Sequence, residues 1–152
     1  MKLVVATLAA CLATATVPAA GLAATPALEQ AFVDTYRRAF EAKDAVTLHS
    51  LLYTKGADPK ALGFYRMMTT VGMGAKIASI ELVDLTAEDR ARASRTLPSP
   101  DGRSLKLSLS PVKKLVIRVA TKTADSSSTG TSEVFVAEHD GKLWIPVPAP
   151  AR

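Results

Sequence analysis

The residues best suited to chemistry lie in one short segment, TYRRAFEAKDAVTLHSLLY, residues 35–53. It holds His49, one of only two histidines, with two of the three tyrosines and the carboxylate of Asp44. His49 lies one helical turn before Tyr53, so their side chains could approach each other and act as a general base with its orienting partner. The alternative is a half-exposed histidine at a helix boundary, hydrogen-bonded to water. We favour this alternative because catalysis needs a converging group of residues, and only a pair can be named.

Other catalytic groups are scarce. His139 adjoins the Asp140-Gly141 turn, so we expect it to be solvated, and the main strand carboxylates, Glu81 and Glu133, are predicted to face solvent. Two distant histidines and a single cysteine, Cys11, offer no recognisable metal-ligand spacing. No glycine-rich phosphate loop or nucleophile motif occurs. We therefore expect no metal and no cofactor, and a binding protein is favoured over an enzyme.

Large apolar side chains could line a hydrophobic ligand pocket, although at helical spacing such residues belong to a core more often. The candidate pocket residues are Tyr36, Phe40, Tyr53, Phe64, Tyr65, Met68 and Trp144. Arg118 could bind an acidic ligand group. Its neighbours Lys114 and Lys122 instead favour a solvated strand face.

The first 24 residues have the layout of a secretory signal peptide. Lys2 precedes an uncharged apolar run, and Pro18 is followed by small residues, which predicts cleavage after Ala23 or Ala24. We therefore expect an exported protein, periplasmic or secreted. Two alternatives stay open: a retained membrane anchor, and a lipoprotein lipidated at Cys11, because LAAC resembles a bacterial lipobox.

The remaining chain is long enough for one domain with a core, and without Cys11 it has no disulfide. The net charge is +5 for the whole sequence and +4 without Lys2, and it is spread along the sequence rather than concentrated in a patch with aromatics, so no nucleic-acid partner is expected.

Helical periodicity follows the leader. Thr25-Pro26, Asp44 and Asp58-Pro59 are helix-start signals, each before an apolar repeat, and Gly72 and Gly74 stop the third helix. The apolar stripe of the first helix consists of Leu28, Phe32, Tyr36 and Phe40.

From residue 77 the period changes to about two, which indicates strands. Thr86 to Asp89 is a capping signal for a short polar helix, and residues 124–130 are predicted to be a flexible hairpin loop. Strands are predicted at residues 77–86, 105–109, around 115–119, at 131–137 and at 142–147. Three helices followed by four or five antiparallel strands is an α+β plan.

Two segments resemble the nuclear-transport-factor-2-like and ketosteroid-isomerase-like superfamily. The first helix and its acidic turn match the family pattern xxDxxxLxxLY, and residues 138–145, EHDGKLWI, are similar to its last hairpin, xDGxW. The matching residues of the first segment are Phe32, Tyr36, Phe40, Asp44, Leu48, Leu51, Leu52 and Tyr53.

The resemblance implies three N-terminal helices packed in a curved antiparallel sheet of four to five strands, a cystatin-like cone with a pocket at its open end. The domain would span residues 25–147, before a Pro-rich tail at 148–152. Family members include isomerases, dehydratases, ligand binders and docking modules, so the fold leaves function open. No aspartate here matches the catalytic base of the isomerases.

Three hypotheses follow. The first is an exported, non-catalytic and dimeric bacterial domain that binds a small apolar ligand or an envelope protein. The second is a small cofactor-free isomerase or hydro-lyase that uses His49, Tyr53 and one acid on an apolar ligand in the cone. The third is a structural module of a cell-envelope assembly, which would contact the membrane only through a retained signal or a lipidated Cys11.

Overall fold

The computed structural model describes residues 24–99, 101–122 and 127–151. Within these residues the chain has an α+β fold with four helices, a mixed five-stranded sheet and a three-stranded sheet. The predicted α+β class is confirmed. The signal peptide, anchor and lipobox predictions concern residues 1–24, of which 1–23 lie outside the described residues. None of the described helices is long and apolar enough to cross a membrane.

The elements alternate irregularly along the chain. The helices are α1 Pro26–Glu41, α2 Ala45–Ser50, α3 Pro59–Thr70 and α4 Ala87–Ala93. The strands are β1 Leu52–Tyr53, β2 Ile77–Asp84, β3 Leu97–Pro98, β4 Ser104–Leu107, β5 Lys113–Lys122, β6 Ser127–His139, β7 Lys142–Pro146 and β8 Pro148–Pro150.

Each helix begins at the residue that its capping signal predicts. Thr25 accepts a hydrogen bond from the backbone N–H of Leu28, and Asp44 accepts one from Thr47 at 3.0 Å. Asp58 accepts hydrogen bonds from two backbone N–H groups, those of Lys60 and Ala61, in the first turn of α3. These side chains satisfy donors that a helix N-terminus leaves unpaired. Asp44 is therefore a helix cap, and its bonds to Thr47 lower its pKa.

The large sheet has the order β1-β7-β6-β5-β2. Its centre is the long antiparallel pair of β5 and β6, and β2 adds to the other side of β5. The two-residue β1 pairs parallel to β7, with Leu52 opposite Ile145. The expectation of a purely antiparallel sheet is therefore wrong. A two-residue strand is too short to show a period in the sequence.

The three-stranded sheet has the order β3-β4-β8. Its edge strand β8 lies in the segment predicted to be a Pro-rich tail, and Leu105 of β4 pairs with Pro150. Proline lacks an N–H donor, so an edge position suits it. In the predicted hairpin loop, residues 127–130 belong to β6, and residues 124–126 lie outside the described part of the chain.

The core lies between α1 and one face of the large sheet. The predicted stripe of α1 is buried there, except Leu28, which is partly buried, and the predicted apolar side of β5 faces it with Leu115 and Ile117. Further buried members are Leu48, Leu52, Val136, Leu143, Ile145 and Val147. Helix α3 packs mainly against α2 and β8, which leaves a space between α3 and the sheet.

Candidate functional site: an apolar cavity between α3 and β6

A cavity of about 480 Å³ occupies the space between α1, α3 and the β5–β6 pair. The helices contribute Tyr36, Phe40, Phe64, Tyr65, Met68, Thr69 and Val71 to its wall. The sheet contributes Ile117, Val119, Ser132, Val134 and Phe135, and charged groups at the wall come from Arg92, Lys114 and Glu133. Most of this wall is apolar or aromatic.

Both ends of α3 are anchored to other segments by hydrogen bonds. At its start, the N–H of Asp58 donates to the carbonyl of Pro148 at 2.9 Å, and Arg103 donates to the Asp58 carboxylate at 3.0 Å. Just after its end, the N–H of Gly74 donates to the carbonyl of Phe40 at 2.8 Å. Gly74 has φ 90°, a left-handed conformation that favours glycine.

The cavity wraps around one edge of β6. Strand β7 pairs with β6 over Ala137, Glu138 and His139. Within the described residues, the part of β6 before Ala137 has no strand on that side. Because side chains alternate along a strand, Ser132 and Phe135 reach the wall from opposite faces of β6.

The predicted pocket residues divide into two groups. Tyr36, Phe40, Phe64, Tyr65 and Met68 line the cavity. The other two, Tyr53 and Trp144, lie outside its wall and contact each other edge to face with ring centroids 5.8 Å apart. They form a separate aromatic cluster at β1 and β7, which the sequence did not distinguish from the cavity.

The predicted approach of His49 to Tyr53 does not occur. His49 is half-buried, and its Nε2 lies 3.3 Å from the carbonyl of Arg66. The Tyr53 hydroxyl lies instead 3.4 Å from Nε2 of His139, which is also half-buried rather than fully solvated as expected. Helix α2 ends at Ser50, so the helical spacing used for the prediction does not extend to Tyr53. Neither His49 nor Tyr53 lines the cavity.

An ionic cluster borders the cavity, formed by Asp89, Arg92, Lys114 and Glu133. Lys114 Nζ lies 3.0 Å from Asp89 and 3.1 Å from Glu133. Arg92 lies 2.7 Å from Asp89 and 3.2 Å from Glu133, and its guanidinium sits over the Phe135 ring at 5.3 Å from the centroid. Two cations and two carboxylates thus alternate around one ring of contacts.

One expectation about this strand face needs correction. Lys114 is not part of a solvated face, because its side chain is only 12% exposed and contacts two carboxylates. Glu133 is exposed as predicted, at 40%, and it also reaches the cavity wall. Arg118, by contrast, is exposed and lies 3.5 Å from Glu81.

The shifted pKa values at the cavity all move further from neutral pH: those of the carboxyl groups are lowered and those of the tyrosines are raised. The hydrogen bond from Lys114 is the main cause that lowers the pKa of Asp89 to about 2, and Lys114 likewise lowers the pKa of Glu133. Burial raises the pKa of Tyr36 to about 12 and raises that of Tyr65. Near neutrality the carboxylates are therefore ionised, and the two phenols are neutral hydrogen-bond donors.

Asp89, Arg92 and Phe135 were missed as site residues. In the sequence, Asp89 is fully explained by the capping box that it forms with Thr86. Its second role depends on where α4 folds against the sheet. The register of β5 against β6 places Lys114 opposite Phe135 and close to Glu133. The one available signal was the pair of lysines, Lys113 and Lys114, at the start of β5 directly before its apolar residues.

No group of three or more His, Cys, Asp or Glu side chains in the described ranges is placed to hold a metal ion. No protein-family model matches the chain, and comparisons with curated proteins and with solved structures also gave no match.

Proposed function

We propose that this protein is a non-catalytic binding domain of nuclear-transport-factor-2-like architecture that takes a small apolar ligand into the cavity between α3 and β6. The observation that carries the proposal is the cavity itself. Its volume of about 480 Å³ and its largely apolar wall match small-molecule sites, which have volumes of about 300–1,000 Å³ and few polar groups.

The polar groups in the wall suit ligand orientation. Tyr36 and Tyr65 are neutral donors, and Ser132 adds a hydroxyl at the β6 edge. A ligand with an apolar body and one or two hydrogen-bond acceptors would satisfy them. Because burying a polar group without a partner is unfavourable, these donors favour ligands that carry an acceptor.

The element order supports the proposed architecture. Three helices precede the long strands, and the aromatic stripe of α1 packs against one sheet face. In the proposed cystatin-like cone, the sheet curves around α1 and the cavity is its open end. The further helix α4 and the small sheet are additions to that plan.

The isomerase or hydro-lyase hypothesis has less support. A general base works best with a pKa near the operating pH, whereas the shifted groups at this cavity titrate far from neutrality. Its two named residues, His49 and Tyr53, also lie away from the wall. The envelope-module hypothesis depends on the N-terminus. The mass of the mature protein tests it: an acylated Cys11 supports tethering, and cleavage after Ala23 or Ala24 supports release.

Native mass spectrometry of protein purified from its own host tests the binding proposal. We expect an added mass that is retained under native conditions, released on denaturation, and extractable into organic solvent. The same spectrum reports whether the protein is the expected dimer. A chain free of added mass that also fails to bind apolar dyes and fatty acids at saturating concentrations would contradict the proposed function.

A further inference from the structure

Helix α3 is apolar on two sides, and only one of them is buried. Ala61, Leu62 and Tyr65 pack against the core. On another side, a set that we call the α3 stripe has each member more than half exposed: Phe64, Met67, Met68 and Val71. Their spacing of three, four and seven positions places Phe64, Met67 and Met68 along one line of the helix surface, with Val71 directly after the last residue of the helix.

The α3 stripe forms one lip of the cavity. Phe64, Met68 and Val71 contribute to the cavity wall while more than half of each residue is exposed. Met67 belongs to the stripe but lies outside the wall. A ligand that enters beside α3 therefore passes an exposed apolar surface before it reaches the cavity.

The surroundings of the stripe are basic. Helix α3 carries Lys60 and Arg66, both exposed, and no acidic residue. Lys60 lies one turn before Phe64, in line with the stripe. The nearest carboxylate in sequence, Asp58, is 1% exposed and is neutralised by Arg103. The surface thus combines exposed aromatic and thioether groups with uncompensated positive charge.

We propose that the α3 stripe docks on an anionic lipid surface and that the cavity exchanges a single-chain lipid amphiphile with it there. Amphipathic helices that lie in a membrane interface combine apolar side chains with flanking Lys and Arg, which attract anionic headgroups. The docking surface consists of residues of α3 and the residue directly after it. The lipid nature of the cavity ligand rests on the proposed function and makes the membrane the source of that ligand.

Charge distinguishes this occupant from a second copy of the chain. In a twofold interface centred on the stripe, both copies present Lys60 and Arg66 and neither presents a carboxylate of α3, so these cations find no partner on the other α3. Anionic headgroups instead neutralise both. Four apolar side chains bury little area, so the docking is weak and reversible and depends on charge, and it weakens as salt shortens the Debye length.

The test is flotation of the full-length chain with vesicles of phosphatidylglycerol and phosphatidylcholine, compared with pure phosphatidylcholine. We expect preferential binding to the anionic vesicles. Met67→Asp should weaken that binding about tenfold or more, because it places a carboxylate in the contact. A double variant, Lys60→Gln with Arg66→Gln, should lose most of the preference for anionic lipid.

The matched control is Val46→Asp, which places the same charge on an exposed apolar position of α2, 81% exposed and outside the cavity wall. It should bind vesicles as the wild type does. All variants keep the same N-terminal segment, so its contribution cancels in the comparison. Circular dichroism checks that each variant is folded.

The outcomes separate the two proposals. Equal vesicle binding by Met67→Asp and wild type overturns the docking inference. A dimer in sedimentation velocity that Met67→Asp abolishes, without vesicle binding by the wild type, also overturns it and assigns the stripe to a second copy. Loss of docking in Met67→Asp with unchanged uptake of an apolar dye supports it. If the wild type docks but takes up no dye and no fatty acid, the docking surface stands and the proposed function fails.

Discussion

Lys114 on β5 lies 3.0 Å from the carboxylate of Asp89, which lies in the first turn of α4, and this contact joins the sheet to α4 beside the cavity. Asp89 is 3% exposed and also accepts hydrogen bonds from the backbone N–H and hydroxyl of Thr86. One carboxylate thus both closes a capping box and neutralises a mostly buried lysine.

Asp89→Asn should lower the melting temperature at neutral pH. The amide keeps the size of the side chain and can still accept from Thr86, but Lys114 and Arg92 lose a charged partner. Thermal unfolding followed by circular dichroism measures the change. Asp84→Asn is the control because Asp84 is 87% exposed and its contact with Lys113 contributes little. Equal melting temperatures for both variants would contradict the structural role of Asp89.

The free energy of unfolding should fall between about pH 4 and pH 2. The folded-state pKa of Asp89 is about 2 and its ordinary value is 3.8, so its stabilising contribution is complete above the ordinary value and is lost as the pH falls through the folded one. Urea unfolding at a series of acidic pH values measures this slope. Asp89→Asn should show a shallower slope, and a slope identical to that of the wild type would show that other groups control acid stability.

Leu48→Ala should destabilise the fold by about 2–5 kcal/mol, the usual cost of a large-to-small change in a core. Leu48 is completely buried on α2. Val46→Ala, on the same helix but 81% exposed, should change the free energy of unfolding by less than about 0.5 kcal/mol. Chemical denaturation gives both values. Similar costs for both variants would mean that α2 does not pack against the core as described.

A spectrophotometric titration should detect one tyrosine that ionises near pH 12. Burial of Tyr36 disfavours its phenolate and raises its pKa to about 12. Since the folded pKa is raised, the stability it contributes is complete below the ordinary value and is lost as the pH rises through the folded one. Tyr36→Phe should remove this late phase. A full titration near pH 10 in the folded wild type would contradict the burial of Tyr36.

Local signals predicted the helices well because a cap and its target lie within four positions. Asp44, Asp58 and Thr86 begin helices for reasons contained in the adjacent sequence. The stripe of α1 and the alternation of β5 also predicted which residues are buried.

Contacts between distant segments could not be predicted in this way. Tyr53 meets His139 because β1 lies beside β7, a pairing of two residues with no periodic signal. The contact of Lys114 with Asp89 depends on where α4 folds against the sheet. The five predicted pocket residues that line the cavity lie on α1 and α3, where periodicity shows the buried faces, whereas the β6 side of the wall requires the strand register.

The most direct test of the cavity as a ligand site compares Ser132→Phe with Thr131→Phe. Both residues are exposed neighbours on β6, but Ser132 belongs to the cavity wall and Thr131 does not. Thr131 lies on the other face of the strand, where the wall is reached only further along, at Glu133 and Phe135. Titration with the fluorescent dye anilinonaphthalene sulfonate, followed by displacement with a fatty acid, measures binding. We predict that Ser132→Phe abolishes saturable binding while Thr131→Phe binds as the wild type does. Equal binding by both variants, or no saturable binding by the wild type, would contradict the account.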